Sequence, residues 1–180
     1  MARPENAQQR LNAGNPLGGT GLRFAPVEHT GNQNESSEEA ERVATFVDDL
    51  LRSGATWTNK KGETRALMLE NILIVAPYNA QVSALLEKLP AGSRVGTVDK
   101  FQGQEAPVVF YSMATSTPED APRGMEFLYS LNRLNVAISR AQCAAVIVAS
   151  PALFQVQYKT PRQIELANAF CRYLEMARPV

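Results

Sequence analysis

Two stretches of this chain carry residue types whose spacing suits work on a phosphorylated ligand: residues 95–105, VGTVDKFQGQE, and residues 131–141, LNRLNVAISRA. In the first, Thr97 and Asp99 stand where a short β-branched strand ends, and Gln102, Gly103 and Glu105 follow. A glycine between side chains that reach ribose or phosphate lets the backbone approach a ligand that a Cβ would hold away. In the second, Ser130 precedes a helical pattern in which Leu134, Val136, Ala137, Ile138 and Ala141 are apolar, leaving Arg133 and Arg140 as the cations. Arg140 falls in the last helical turn, where a guanidinium either offsets the helix dipole or reaches a phosphate as a planar fork of donors. A third group, Tyr78, Asn79 and Gln81, lies just past Pro77 and an apolar run. A tyrosine at a strand-to-helix junction can lay its ring on a purine, and neighbouring amides can bond phosphate or base. A half-buried tyrosine with helix-capping amides is the alternative.

The elements that position these residues are legible from periodicity. Residues 72–75, ILIV, form an apolar run too short for a helix and followed by proline, which predicts a buried parallel strand. Residues 95–98, 108–111 and 144–148 read as further strands, and 22–29 as another. Ser36 with Glu39 three residues later predicts a capping box, followed by Val43, Phe46, Val47, Leu50 and Leu51 at helical spacing up to Gly54. The acids Glu35, Glu38, Glu39 and Glu41 read as a solvated face near that helix's positive end. Residues 56–64 read as two short extended pieces about the turn Asn59-Lys60-Lys61-Gly62, with Trp57 anchoring the hairpin. Residues 82–89 and a last helix carrying Ile164, Leu166, Ala167, Phe170 and Leu174 complete the pattern, and 115–124 is a polar loop long enough to be functional. Helices alternating with strands imply an α/β fold with a mostly parallel sheet. Residues 1–21 read as a flexible lead-in, and residues 22–180 as one domain. The glycines of GNPLGGTG, 14–21, do not make a phosphate loop, because Leu22, Arg23 and Phe24 follow where Lys and Ser or Thr opening a helix are required.

Bulk properties bound the function. The 180 residues are 44% hydrophobic, enough for one sizeable core. Eighteen basic residues balance eighteen acidic ones, so contact with nucleic acid has to be local rather than driven by a global field. With two cysteines, Cys143 and Cys171, no CxxC and a single histidine, a zinc site is not expected and the thiols read as free. His29, beside Glu28 at a strand end, reads as a surface residue without a role. No apolar run approaches a membrane span or a signal peptide, so a soluble, cytoplasmic chain with no membrane partner is expected.

On these residues a resemblance appears. GTVDKFQGQE resembles motif V, LNVAISRA resembles motif VI and ILIVAPYNAQV is similar to motif IV of superfamily 1 helicases, in the branch of the nonsense-mediated-decay helicase and its DNA-repair relatives. Three motifs in order are far more specific than any one. The resemblance runs from about Leu22 to the C-terminus, and the end of motif VI also resembles bacterial chains that join a RecB-like nuclease to such a helicase. It implies a RecA-like three-layer fold and the second motor domain of an ATP-dependent helicase, whose first RecA-like domain would hold the phosphates and Mg2+. It further implies that Arg140 is the arginine finger, that Gln102, Gly103 and Glu105 lie near ribose and γ-phosphate, and that Tyr78, with Asn79 and Gln81 beside it, is the adenine platform. Thr97 matches a hydroxyl that touches single-strand phosphates, while Asp99 stands where many relatives carry histidine. A single strand, DNA more than RNA, is the implied partner, and the domain alone is expected to be inactive. The other readings are a non-helicase nucleotide-binding or regulatory α/β module with Arg140 in structural ion pairs, or a pure nucleic-acid-binding module, which zero net charge disfavours.

Overall fold

The computed structural model describes residues 9–101, 103–155 and 161–180, with all their side chains except those of Leu131, Asn132, Arg162, Gln163, Leu166 and Ala169. Its centre is a six-stranded sheet in the order β6 (Arg94–Thr97), β5 (Ile72–Ala76), β7 (Ala106–Ser112), β8 (Ala141–Ala149), β2 (Gly21–Pro26), β9 (Arg178–Pro179). Every pairing in it is parallel. The helices are α1 (Ser37–Arg52), α2 (Asn79–Lys88), α3 (Gly124–Leu128), α4 (Leu131–Ser139) and α5 (Pro161–Met176).

The layers follow from crossover handedness. The steps β2 to β5 and β5 to β6 run one way across the sheet, and β6 to β7, β7 to β8 and β8 to β9 run the other. Right-handed connections therefore put α1 and α2 on one face and the later helices on the opposite face. The two cores obey this. Ile72, Ile74, Val108 and Phe110 pack with Val43, Phe46, Val47 and Leu85 of α1 and α2, and Leu73, Val75, Val109 and Tyr111 pack with Leu128, Leu134 and Phe170 of α3 to α5. Alternate residues of β5 and β7 thus serve opposite cores, which is why both strands are buried throughout and carry continuous apolar runs, Ile72 to Ala76 and Val108 to Phe110. Each large side chain buried this way contributes about 1.5–3 kcal/mol relative to exposure. The architecture is the α/β fold with a parallel sheet that the strand and helix pattern predicts, in the RecA-like three-layer form that the resemblance implies.

Several expectations are corrected. The segment before Gly21 is not merely a lead-in: β1 (Arg10–Asn12) pairs antiparallel with β3 (Thr56–Thr58) in a small sheet completed by β4 (Thr64–Ala66), and Leu11 and Leu17 are fully buried. The glycine-rich turn wraps the buried guanidinium of Arg23, which donates to the carbonyls of Gly18 (2.7 Å), Thr20 (3.1 Å), Leu22 (3.0 Å) and Pro16 (3.4 Å). A loop that turns carbonyl oxygens inward onto a cation has the opposite polarity to one that offers N–H groups to phosphate. Burial pulls the Arg23 pKa below its ordinary value, and the positive charge of Arg178 adds to that. Ile164 faces solvent, the core positions of α5 being Ala167, Phe170 and Tyr173.

His29 and Glu39 are the largest departures. Both are buried: His29 Nε2 lies 2.9 Å from Glu39 Oε1, and its Nδ1 lies 2.8 Å from Ser116 Oγ. Ser36 does cap α1, its hydroxyl accepting from the Glu39 N–H at 3.1 Å. The reciprocal half of the capping box is supplied from elsewhere: the Ser36 N–H donates to Gln81 Oε1 at 2.6 Å, which frees the Glu39 carboxyl for Ser112 Oγ (2.6 Å) and the Ala114 N–H (2.9 Å).

Both cysteines are free thiols, Cys143 buried in β8 and Cys171 half-buried in α5. Burial pushes the Cys143 thiol up to about 11. Because the thiolate is the nucleophile, only roughly one Cys143 in a thousand is reactive at pH 8. Brief iodoacetamide treatment of the folded chain at pH 8, read by peptide mass spectrometry, is expected to label Cys171 well before Cys143. Equal labelling would contradict the buried environment.

Candidate functional site: two edges of one sheet

In an all-parallel sheet every strand ends on the same edge, so a residue that follows a strand and one that precedes a strand lie on opposite edges. Tyr78, Asn79, Thr97 and Asp99 follow or end β5 and β6, whose ends are in register at Ala76 and Thr97. Gly103, Glu105 and Arg140 precede β7 and β8, whose starts are in register at Ala106 and Ala141. The structure therefore brings Arg140 together with Gly103 and Glu105, and separates all three from Tyr78. Gln102 lies outside the described residues.

On the amino edge, Arg140 is the C-cap of α4, and its carbonyl accepts the Ala106 N–H at 3.0 Å, tying the end of that helix to the start of β7. Its side chain is half-buried, its Nε is buried without a hydrogen-bond partner, and among the described residues no ion pair holds it. The alternative reading requires Arg140 in a structural ion pair, and none is present among the described residues. Glu105 is exposed and accepts from Gln142 Nε2 at 3.2 Å. Gly103 has φ +81°, a conformation that favours glycine, and open space lies where its Cβ would point. This edge thus offers a donor fork short of acceptors, an exposed carboxyl and an uncovered stretch of backbone.

On the carboxyl edge, Tyr78 does not present a free face. Its ring is buried and packs against Phe127 with centroids 5.5 Å apart, so an adenine platform there is not preformed. Gln81 is fully buried, its amide spent on Ser36 N–H, Ser36 O (3.1 Å) and Ser112 Oγ (2.8 Å), so it is not free for phosphate or base. Asn79 is exposed in the first turn of α2, and Thr97 is half-buried at the end of β6. Asp99, 82% exposed, forms an ion pair with Arg133 at 3.7 Å. Arg133 in turn lies over Phe127, 4.3 Å from the ring centroid, and Arg123 lies 4.2 Å from the same centroid. Arg123 sits just before α3, in the stretch 115–124 that reads from sequence as a polar loop, and Phe127 sits in α3, just past that stretch.

Among the described residues no three His, Cys, Asp or Glu side chains gather to hold a metal ion, and no helix is long and apolar enough to cross a membrane. The profile of a family described as "AAA domain" matches residues 20–152. The chain is 27% identical over 135 residues to a putative helicase mov-10-B.1 of Danio rerio, covering 67% of this chain and 13% of that protein. It is 34% identical over 105 residues to a DNA polymerase alpha-associated DNA helicase A of Schizosaccharomyces pombe, covering 57% of this chain and 14% of the relative. It is also 26% identical over 113 residues to a DNA replication ATP-dependent helicase/nuclease JHS1 of Arabidopsis thaliana, covering 62% of this chain and 8% of the relative. The chain belongs to the AAA domain family and is a superfamily 1 helicase-related domain. It spans no more than 14% of the length of these relatives.

Proposed function

We propose that this domain is the second motor domain of an ATP-dependent superfamily 1 helicase, with its amino edge turned to nucleotide and its carboxyl edge to a single strand of nucleic acid. The observation that carries the reading is Arg140: a guanidinium beside the exposed Glu105 and the open Gly103, with a buried Nε donor that none of the described residues accepts. A planar fork left short of acceptors suits the charge that develops on a transferring phosphoryl group. Glu105 and the Gly103 backbone are placed to meet ribose and phosphate beside it. Thr97 and Asn79, on the other edge, are the strand contacts. Tyr78, buried and on that second edge, is left out of the nucleotide set. The grip on the β- and γ-phosphates and on Mg2+, which assists by neutralising phosphate charge, falls to the first motor domain.

The test is turnover. The isolated domain is expected to hydrolyse no ATP above background and to bind it no tighter than about millimolar, where only a few kcal/mol of contact are available. Joined to a phosphate-binding motor domain, it is expected to support hydrolysis stimulated by single-stranded nucleic acid. ATP turnover by the isolated domain that disappears in Arg140→Ala, or micromolar ATP binding by calorimetry, would instead favour a self-sufficient nucleotide-binding regulatory module.

A further inference from the structure

The cluster around Phe127 lies where an open α/β sheet changes direction. From β5 the chain crosses to β6 on one side, and from β7 it crosses to β8 on the other, so the carboxyl ends of β5 and β7 form the topological switch point of the sheet, the edge at which open α/β sheets take ligands. The guanidiniums of Arg123 and Arg133 converge there on one ring, at 4.2 and 4.3 Å from its centroid. Among the ion pairs of the described residues, Asp99 answers Arg133, at 3.7 Å and largely in solvent. Two cations gathered on one aromatic ring with one loosely held counter-ion leave a local excess of positive charge in a chain of zero net charge.

A second, independent feature lies beneath them. The hydroxyls of Tyr78 and Tyr111 are both buried and have no hydrogen-bond partner among the described residues. Thr115 lies beside the Tyr78 hydroxyl without meeting hydrogen-bond geometry. Both phenols feel the charge of Arg133, which opposes the larger effect of burial in raising their pKa values. Buried donors without acceptors are uncommon in a settled core, and two of them under an arginine pair mark a place where an acceptor is missing.

We propose that Arg123 and Arg133, held over the Phe127 ring on the carboxyl edge of the sheet, take a backbone phosphate of a single-stranded nucleic acid, with Asp99 as the counter-ion that the phosphate displaces. The inference rests on the two-edge reading above. A free nucleotide would meet Arg140 on the opposite edge, whereas Thr97 and Asn79 border this one. It also gives Asp99 a different role from the strand contact implied by its motif position: a gate that holds Arg133 until a strand arrives. Ring contact holds the guanidiniums without neutralising them, so the charge stays available to the strand.

The experiment is fluorescence anisotropy of a fluorescein-labelled oligothymidylate titrated with the full chain at low salt, repeated over a salt series. Arg123→Gln, at an exposed position, is expected to weaken binding about tenfold and to make the dependence of log affinity on log salt shallower by about 0.7, the share of one single-strand phosphate. Arg133→Gln is expected to act in the same direction. Asp99→Asn is expected to tighten binding at least about twofold, a gain that unfolding does not produce. Unchanged affinity and slope in Arg123→Gln, weaker binding in Asp99→Asn, or no binding by the wild-type chain would each overturn the proposal. If inorganic phosphate displaces the oligonucleotide at the concentration where it alone saturates the site, the cluster is a free-anion site and the strand assignment falls. Turnover by the joined motor domains reads the motor-domain assignment separately. Strand-stimulated hydrolysis that is indifferent to Arg123→Gln would sink this inference alone, and absence of hydrolysis would sink the reading beneath it.

Discussion

Arg140→Ala, in a polypeptide that unites this domain with a phosphate-binding motor domain, is expected to lower the rate of ATP hydrolysis about 10³-fold or more while leaving nucleotide affinity nearly unchanged. A group that meets charge only in the transition state changes kcat; one that grips the ground state changes KM as well. Arg140→Lys is expected to stay severely impaired, because a point charge does not reproduce a planar fork that spans two oxygens. The structure sharpens the contrast with a purely structural role. Arg140 caps α4 through its backbone, which any side chain leaves in place, and no described carboxylate holds its guanidinium. Thermal melts of both variants are therefore expected to fall within a few degrees of wild type, since a cation at a helix end contributes only about 0.3–1 kcal/mol. A normal rate with a lowered melting temperature, or rescue by lysine, would mean that Arg140 is a helix-end cation and nothing more.

Which edge each motif occupies was already written in the chain order. Tyr78 follows the run 72–75, and Arg140 precedes the run 144–148; in a parallel sheet that alone separates them. A resemblance that gathers both around one nucleotide has to yield to that geometry, and the burial of Tyr78 against Phe127 agrees. The strands were readable because both their faces are covered, which leaves continuous apolar runs. The Phe127 cluster was not, because α3 is only five residues long and opens on Gly124 at φ +75°, so the stretch carries loop chemistry and no helical period. His29 and Glu39 were hidden for a different reason. An acid in the first turn of a helix has an ordinary explanation in the dipole, and nothing local says that its partners lie 10 and 73 residues away. The one local sign was negative: Ser36 and Glu39 fit a capping box, and only the Gln81 amide, 45 residues on, releases Glu39 from it.

Glu39→Ala is expected to destabilise the fold by about 3–5 kcal/mol, the range for removing one partner of a buried, hydrogen-bonded charged group. The Glu39 carboxyl is fully buried and takes three donors: Ser112 Oγ–H at 2.6 Å, the Ala114 N–H at 2.9 Å and, with the proton on Nε2, His29 at 2.9 Å. Alanine would strand all three in a place that water does not reach. The network does more than fill space. Through His29 it holds Ser116, whose hydroxyl also accepts the Asn32 N–H at 2.9 Å, and through Ser112 it holds Gln81 at the start of α2. Ala114, the one described non-glycine residue at positive φ, +68°, is kept in that costly conformation with its N–H on the carboxylate. One acid thus joins the segment after β2, the start of α1, the end of β7 and the start of α2. For a domain of this size the loss corresponds to a fall in melting temperature of about 10 °C or more. Glu39→Gln, which keeps one acceptor but turns an N–H₂ toward a donor, should fall between. Exposed Glu41, on the same helix as Glu39 and paired with Lys88 of α2 at 2.9 Å, serves as the control, and its alanine variant should melt close to wild type. The coupling is checked by adding His29→Ala: if the histidine is held through Glu39, the double variant should lose clearly less than the sum of the two single losses. Chemical denaturation of wild type, the four single variants and the double variant measures all of this, and a Glu39→Ala variant within 1 kcal/mol of wild type would show that this acid does not tie the four segments together.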